Sequence, residues 1–391
     1  MDEREIDLLY DNYYFKLNKK LQIITGLWPY KSRKYKLGIR AVVYATLSLV
    51  MIPLCNGFRT WCGVNLDICG ENLVGICYTM LIFLKYWVTT HSEERLKNVY
   101  RLVAKNWMEI TDPHEHEILV DYAKQGRLKT IGYTAYVVVA GIGFCQIPMI
   151  SVILDIIIPL NVSRTKILFK GGEFILDPYQ HFYKLYVYFV ITSFVIMTII
   201  IAIDTNYTII IHQILGLLTI VKHRLQRLAI PMNLKKDNSY HAIIKAIHLH
   251  NDALQFVDLI ESSYSCLFLV FIGFTIIIIS ISTSIMMAQI GKLLNMIRVA
   301  MFVLGASLHF LYINWTGQQM IDHSKELYLN VYSNEWYNLT KEAKTLLKIV
   351  MLRCLKPSKF TAGGLYTLNL ESFGTIMESA LTYVAIMSSF R

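Results

Sequence analysis

The chain has 391 residues, 54% of them hydrophobic and only 17% charged, with a mean hydropathy of +0.42. That balance points to a membrane protein. The net charge of +10 would suit nucleic acid, but the basic residues sit in alternate gaps between apolar runs, where anionic lipid accounts for them.

Residues 1–37 are mostly polar and precede an apolar run long enough to span a bilayer, so no cleavable signal peptide is expected. Seven apolar runs follow: Gly38–Phe58, Ile68–Thr90, Ile131–Ile158, Phe182–Ile203, Tyr264–Met287, Met296–Trp315 and Asn369–Ser388. Each has the ~20 residues a helix needs to cross a ~30 Å hydrocarbon core, where backbone groups must be satisfied internally. The fifth is wholly uncharged and its Ile, Leu, Phe and Val are worth roughly −4 to −8 kcal/mol of insertion free energy.

Of the 38 Lys and Arg, 28 lie before the first run or in the even-numbered gaps, and 6 lie on the other side. The positive-inside rule therefore puts the N-terminus in the cytoplasm and the C-terminus outside. The fold class predicted is an all-α membrane protein with seven transmembrane helices and a cytoplasmic helical anchor region.

Between the runs, Ser92–Lys129 has helix-like spacing (Leu96, Val99, Leu102, Val103) broken at Asp112-Pro113. Asp204–Glu261 reads as two helices that continue the fourth and fifth spans, interrupted from Pro231 to Tyr240. Lys341–Leu355 is amphipathic, with Ala343, Leu346, Leu347, Val350 and Leu355 on one broad face. Such stripes either pack within the chain or form a platform for subunit assembly, and the pattern alone favours neither.

No phosphate loop, metal-ligand spacing or nucleophile elbow is present, so neither an enzyme nor a metal or other cofactor is expected. His114, His116, His248 and His250 read as solvated, and His309 as a packed, hydrogen-bonded histidine. Arg40, Glu71, Lys85, Asp155, Lys184, Asp204 and Arg298 lie in or near spans and are functional candidates by default, although each lies within about two turns of an end and could snorkel. Cys62 and Cys69 alone approach an outside loop, which indicates no disulfide framework. Of four sequons, the topology leaves Asn161 as the one clear outside glycosylation position.

The last 75 residues carry a resemblance. Gly317-Gln-Gln-Met-Ile-Asp-His-Ser324, Val331-Tyr-Ser-Asn-Glu-Trp-Tyr337, Glu342-Ala-Lys344, Thr361-Ala-Gly-Gly-Leu-Tyr366, Leu370-Glu-Ser-Phe373 and Ser379-Ala-Leu-Thr-Tyr383 resemble the carboxy-terminal region of insect odorant receptors. The ending Thr382-Tyr383-Val-Ala-Ile-Met-Ser-Ser389-Phe390 is also similar to that of gustatory receptors, but Ser389 stands where those carry Gln. Asp204–Glu261 lacks the long insert of the co-receptor type, so the resemblance is to a ligand-tuning subunit.

That resemblance implies a subunit of a tetrameric, odorant-gated, non-selective cation channel, assembled with the co-receptor in the plasma membrane of olfactory sensory neurons. It implies a transmembrane body over 38–316, an assembly region over 317–368 and a pore-lining helix over 369–391. The subunit interface would include Trp336, Tyr337, Leu346, Leu347 and Val350. Ser379, Thr382, Ile386 and Ser389 recur at steps of three and four and would line the pore, with Ile386 as the dewetting constriction. The pocket would draw on the outer halves of spans two, three, four and six: Tyr78 and Ile82; Gln146, Met149 and Ile153; Tyr186, Phe189 and Val190; Ile297, Ala300 and Met301. A small volatile ligand there is held mainly by dispersion and burial. A gustatory-type channel acting alone and a metabotropic seven-helix receptor are the alternatives. Against the second stand the inverted topology of this chain and the absence from it of an Asn-Pro dipeptide for the usual seventh-helix motif and of Asp-Arg-Tyr after the third span.

Overall fold

The computed structural model describes residues 2–389 except 160–163, 165–167, 169–171, 175, 179, 229–235, 290, 292 and 334–335, and without the side chains of 236–239, 294 and 387–389. Among the described residues, six helices are long and apolar enough to span: α3 (Arg33–Trp61), α4 (Leu66–His91), α6 (Pro113–Ile157), α7 (Phe182–Arg227), α8 (Lys236–Ala288) and α9 (Leu293–Tyr332). The 20-residue α11 (Leu370–Ser389) makes the seventh. Short helices α1 (Glu3–Leu9), α2 (Lys16–Ile24), α5 (Glu93–Glu109) and α10 (Lys341–Cys354) gather at the basic end.

The length of α6–α9 explains the second layer. A helix of 45 residues, such as α6, is about 68 Å long, more than twice the ~30 Å hydrocarbon core. The surplus projects below the bilayer, as the continuing stripes on α7 and α8 predict. Its apolar side chains close into one core with Leu96, Val99, Tyr100 and Trp107 of α5 and Leu347 and Val350 of α10. At the expected break, the Asp112 side chain caps α6 by accepting from the His114 and Glu115 amides, with Pro113 at the first turn.

The polar N-terminal segment is anchored to the bundle: Ile6, Tyr10, Phe15 and Trp28 are buried in the cytoplasmic core. Two expectations need correcting. The division at residues 316–317 falls inside α9, which runs on without a break. His250 is buried, on the inner face of α8.

At the outer end, Cys62 and Cys69 are free thiols on either side of the turn between α3 and α4. Near the membrane's inner boundary, β1 (Thr361–Ala362) and β2 (Tyr366–Thr367) form an antiparallel hairpin just before α11. Gly363 and Gly364 take positive φ of 61° and 72° to make the turn. Glu261 of α8 accepts from the Thr361 amide and hydroxyl, clamping the hairpin to that helix. Gly317 is equally constrained, since a Cβ there would lie 2.3 Å from the Leu368 carbonyl oxygen. Two of the family-like motifs are thus the backbone approach that seats α11.

A second clamp joins α3 to α5. The Glu93 carboxylate bonds both Lys36 and, at 2.7 Å, Arg40. Burial alone would raise its pKa, but the two cations outweigh burial and hold it below its ordinary 4.5. A lowered folded pKa stabilises the protein above the unfolded value and that contribution is lost as pH falls through the folded one. Glu93→Gln should therefore lower detergent stability at pH 7 by about 1–2 kcal/mol, with the difference from wild type shrinking as pH falls below the ordinary carboxylate range. Melting curves across pH check this, and a pH-independent difference would refute it.

Candidate ligand-binding cavity

A cavity of ≈ 320 Å³ opens between α3, α4, α6, α7, α8 and α9 in the outer half of the bundle. Ligand sites range over about 300–1,000 Å³, so its occupant is small. One face of α6 lines it with Tyr133, Tyr136, Val137, Ala140, Gly141 and Phe144, a repeat of three and four residues. On α9 the same spacing brings in Arg298, Met301, Phe302, Gly305, Ala306 and His309. Small residues in these faces make the room: a Cβ on Gly141 would stand 1.8 Å from the Met197 sulfur. Across the mouth, the Glu173 amide donates to the Pro53 carbonyl at 3.1 Å and Trp61 Nε1 donates to the Glu173 carboxylate at 2.9 Å.

Ion pairs close both ends. At the outer end Arg298 of α9 donates to Glu71 of α4 at 2.7 Å. At the inner end Lys85 Nζ lies 2.7 Å from Asp204 Oδ1 and 3.1 Å from His309 Nε2. Asp204 Oδ2 accepts from the Tyr133 hydroxyl at 2.9 Å and lies 2.9 Å from His309 Nε2. The Lys85 ammonium also sits 4.7 Å over the Phe271 ring. This cluster ties α4, α6, α7, α8 and α9 together. Lys85 and Asp204 are 2% and 3% exposed, so they do not snorkel; each instead finds its partner across the bundle.

The predicted pocket residues divide. Tyr78, Phe189 and Met301 line the cavity. Gln146, Tyr186 and Val190 line a separate hollow of ≈ 270 Å³ between α6 and α7, flanked by the exposed Ile142, Ile191 and Phe194. Ile82 is fully buried in helix packing, and Met149 packs with Leu168, Phe182 and Leu185 nearer the outer surface. Ile153 and Ile297 are exposed, and Ala300 stands beside the lining face of α9 without joining it. The cavity draws on all four of the expected spans but on other faces of them, because a span apolar all round does not reveal which face turns inward. The signal available was the face of alternating aromatic and small residues on α6 and α9.

A sequence profile described as 7tm odorant receptor matches residues 65–381. This chain belongs to the insect odorant receptor family. It is 22% identical over 367 residues to odorant receptor 9a of Drosophila melanogaster, covering 89% of this chain and 88% of that one. To the Drosophila odorant receptor coreceptor it is 28% identical, but over only 71 residues, 18% of this chain and 15% of that one. Its fold is similar to that of the olfactory receptor OR5 from Machilis hrabei in complex with eugenol, with TM-score 0.79 and 11% identity over 97% of this chain and 100% of that one.

In this odorant receptor α11 buries Ile376, Ala380 and Val384 against its own bundle, with Ser280 donating to the Ala380 carbonyl at 3.3 Å. Glu371, Thr375, Glu378, Thr382 and Ile386 run down the opposite, exposed side. Ser379 is half-buried at the margin of that stripe, and the side chain of Ser389 lies outside the described residues, as does Asn161. On α10, Leu347 and Val350 are buried within the chain's own core and Leu346 is half-buried. Any outward contact there falls to Ile349, Leu352 and Leu355, together with Trp336 and Tyr337, all exposed.

Proposed function

We propose that this receptor is the ligand-tuning subunit of an odorant-gated, non-selective cation channel, assembled with the co-receptor in the plasma membrane of olfactory sensory neurons. The observation that carries this reading is the exposed side of α11. Glu378 stands near the middle of a 20-residue span, on the side away from its own bundle. A carboxylate facing lipid there costs about 2.5–3.5 kcal/mol, so that side belongs against water. Thr375 and Thr382 continue a wettable surface, and Ile386 supplies the one bulky apolar group for a dewetting gate. The cavity, walled by aromatic and aliphatic groups, is the proposed odorant site.

The exposed apolar residues Trp336, Tyr337, Ile349, Leu352 and Leu355 supply the subunit contact below the membrane. The short, local likeness to the co-receptor supports a tuning role rather than the co-receptor's own. Odorant-evoked currents recorded with and without co-receptor test the proposal. Currents that need the co-receptor support it. Equal currents from this chain alone favour a homotetrameric, gustatory-type channel. Responses that require a G protein and carry no direct conductance would overturn it.

A further inference from the structure

The inner end of the cavity holds more hydrogen-bonding capacity than a purely apolar volatile uses. Tyr78, Tyr133, Tyr136 and His309 all line it. Tyr133 donates to Asp204 and Tyr136 donates to the Gly305 carbonyl, each at 2.9 Å. Among the described residues the Tyr78 hydroxyl has no hydrogen-bond partner, although its ring is set edge-on against Phe302 at 5.6 Å. His309 directs Nε2 at Asp204 and Lys85, and among the described residues Nδ1 has no partner. Neither atom is sealed in the protein and both line the cavity, so an occupant that bonds them binds better than one that displaces water there without bonding them.

We propose that this receptor is tuned to small alcohols, the ligand hydroxyl binding at Tyr78 and His309 and its apolar body lying against Phe144, Phe189 and Met301. The proposal rests on the reading of this cavity as the odorant site. Nε2 of His309 faces an ammonium at 3.1 Å and a carboxylate at 2.9 Å. One tautomer makes Nδ1 an acceptor and the other makes it a donor. A hydroxyl both donates and accepts, so it satisfies either tautomer and bonds Tyr78 as well. An ether oxygen only accepts, and an alkane does neither. Carboxylic acids and amines are disfavoured, because Lys85 and Asp204 already neutralise each other at 2.7 Å and a third buried charge would stand unpaired.

The test compares currents from cells expressing this chain with the co-receptor, using straight-chain alcohols of six to ten carbons, their methyl ethers and the matching alkanes. Alcohols should be about 10- to 100-fold more potent than the ethers. Tyr78→Phe, which keeps the ring against Phe302, should shrink that ratio to a few-fold while surface labelling stays normal. Ethers or alkanes equal to the alcohols, responses confined to acids, amines or esters, or no response to any alcohol would each overturn the proposal. In the first two cases the channel still answers odorants, so the receptor-channel reading stands. If Tyr78→Phe does not reach the surface, the ratio in the wild type alone decides.

Discussion

Asp204→Ala should nearly abolish the receptor at the cell surface. The substitution leaves the Lys85 ammonium, 2% exposed, without its carboxylate, and strips Tyr133 and His309 of their shared acceptor. Breaking one side of such a pair costs about 3–5 kcal/mol, a large part of the stability of any domain. Replacing both charges by apolar groups, Lys85→Met with Asp204→Leu, should recover much of the surface expression, because no unpaired charge then remains. Surface biotinylation beside total protein reads both outcomes. Normal surface levels for Asp204→Ala would show that the cluster holds nothing together. A double variant as poor as the single one would place its value in the Tyr133 and His309 bonds rather than in the charges.

The second large effect concerns permeation. Glu378→Lys should reduce cation current strongly and move the reversal potential toward that of chloride, while assembly with the co-receptor persists. Glu378→Gln should have an intermediate effect. The side chain is exposed, opposite the face of α11 that carries Ile376, Ala380 and Val384, so the substitution disturbs no packing within the chain. A carboxylate lining a pore concentrates cations and an ammonium repels them. Since a single subunit type contributes only its own share of the ring, the shift should grow with the number of these subunits per channel. Unchanged selectivity and conductance in Glu378→Lys, with normal surface levels, would place this side of α11 away from the ion path.

The two sites were legible to different degrees. Within the helix that the resemblance singles out, spacing puts Ser379, Thr382, Ile386 and Ser389 on one face, yet Glu371 and Glu378 complete the exposed stripe and Ser379 sits at its margin. The buried face on Ile376, Ala380 and Val384 sets that phase, and only packing against α8 reveals it. Likewise Leu346, Leu347 and Val350 form an obvious stripe, but the stripe is satisfied inside the chain by the lower halves of α8 and α9.

By itself the sequence determined the number of spans, their direction and the helices below them. Those properties follow from local quantities: the length of an apolar run against bilayer thickness, and the count of Lys and Arg in each gap. The family likeness was also local, carried by short motifs, two of which include Gly317, Gly363 and Gly364, where the backbone disfavours a side chain. What faces what was decided by tertiary structure. Lys85 meets Asp204 across 119 positions and His309 across 224, separations over which no periodic pattern carries information. In a lipid-facing helix both the inward and outward sides are apolar, so rotation about the helix axis is fixed by packing, small residues and buried polar contacts rather than by hydropathy.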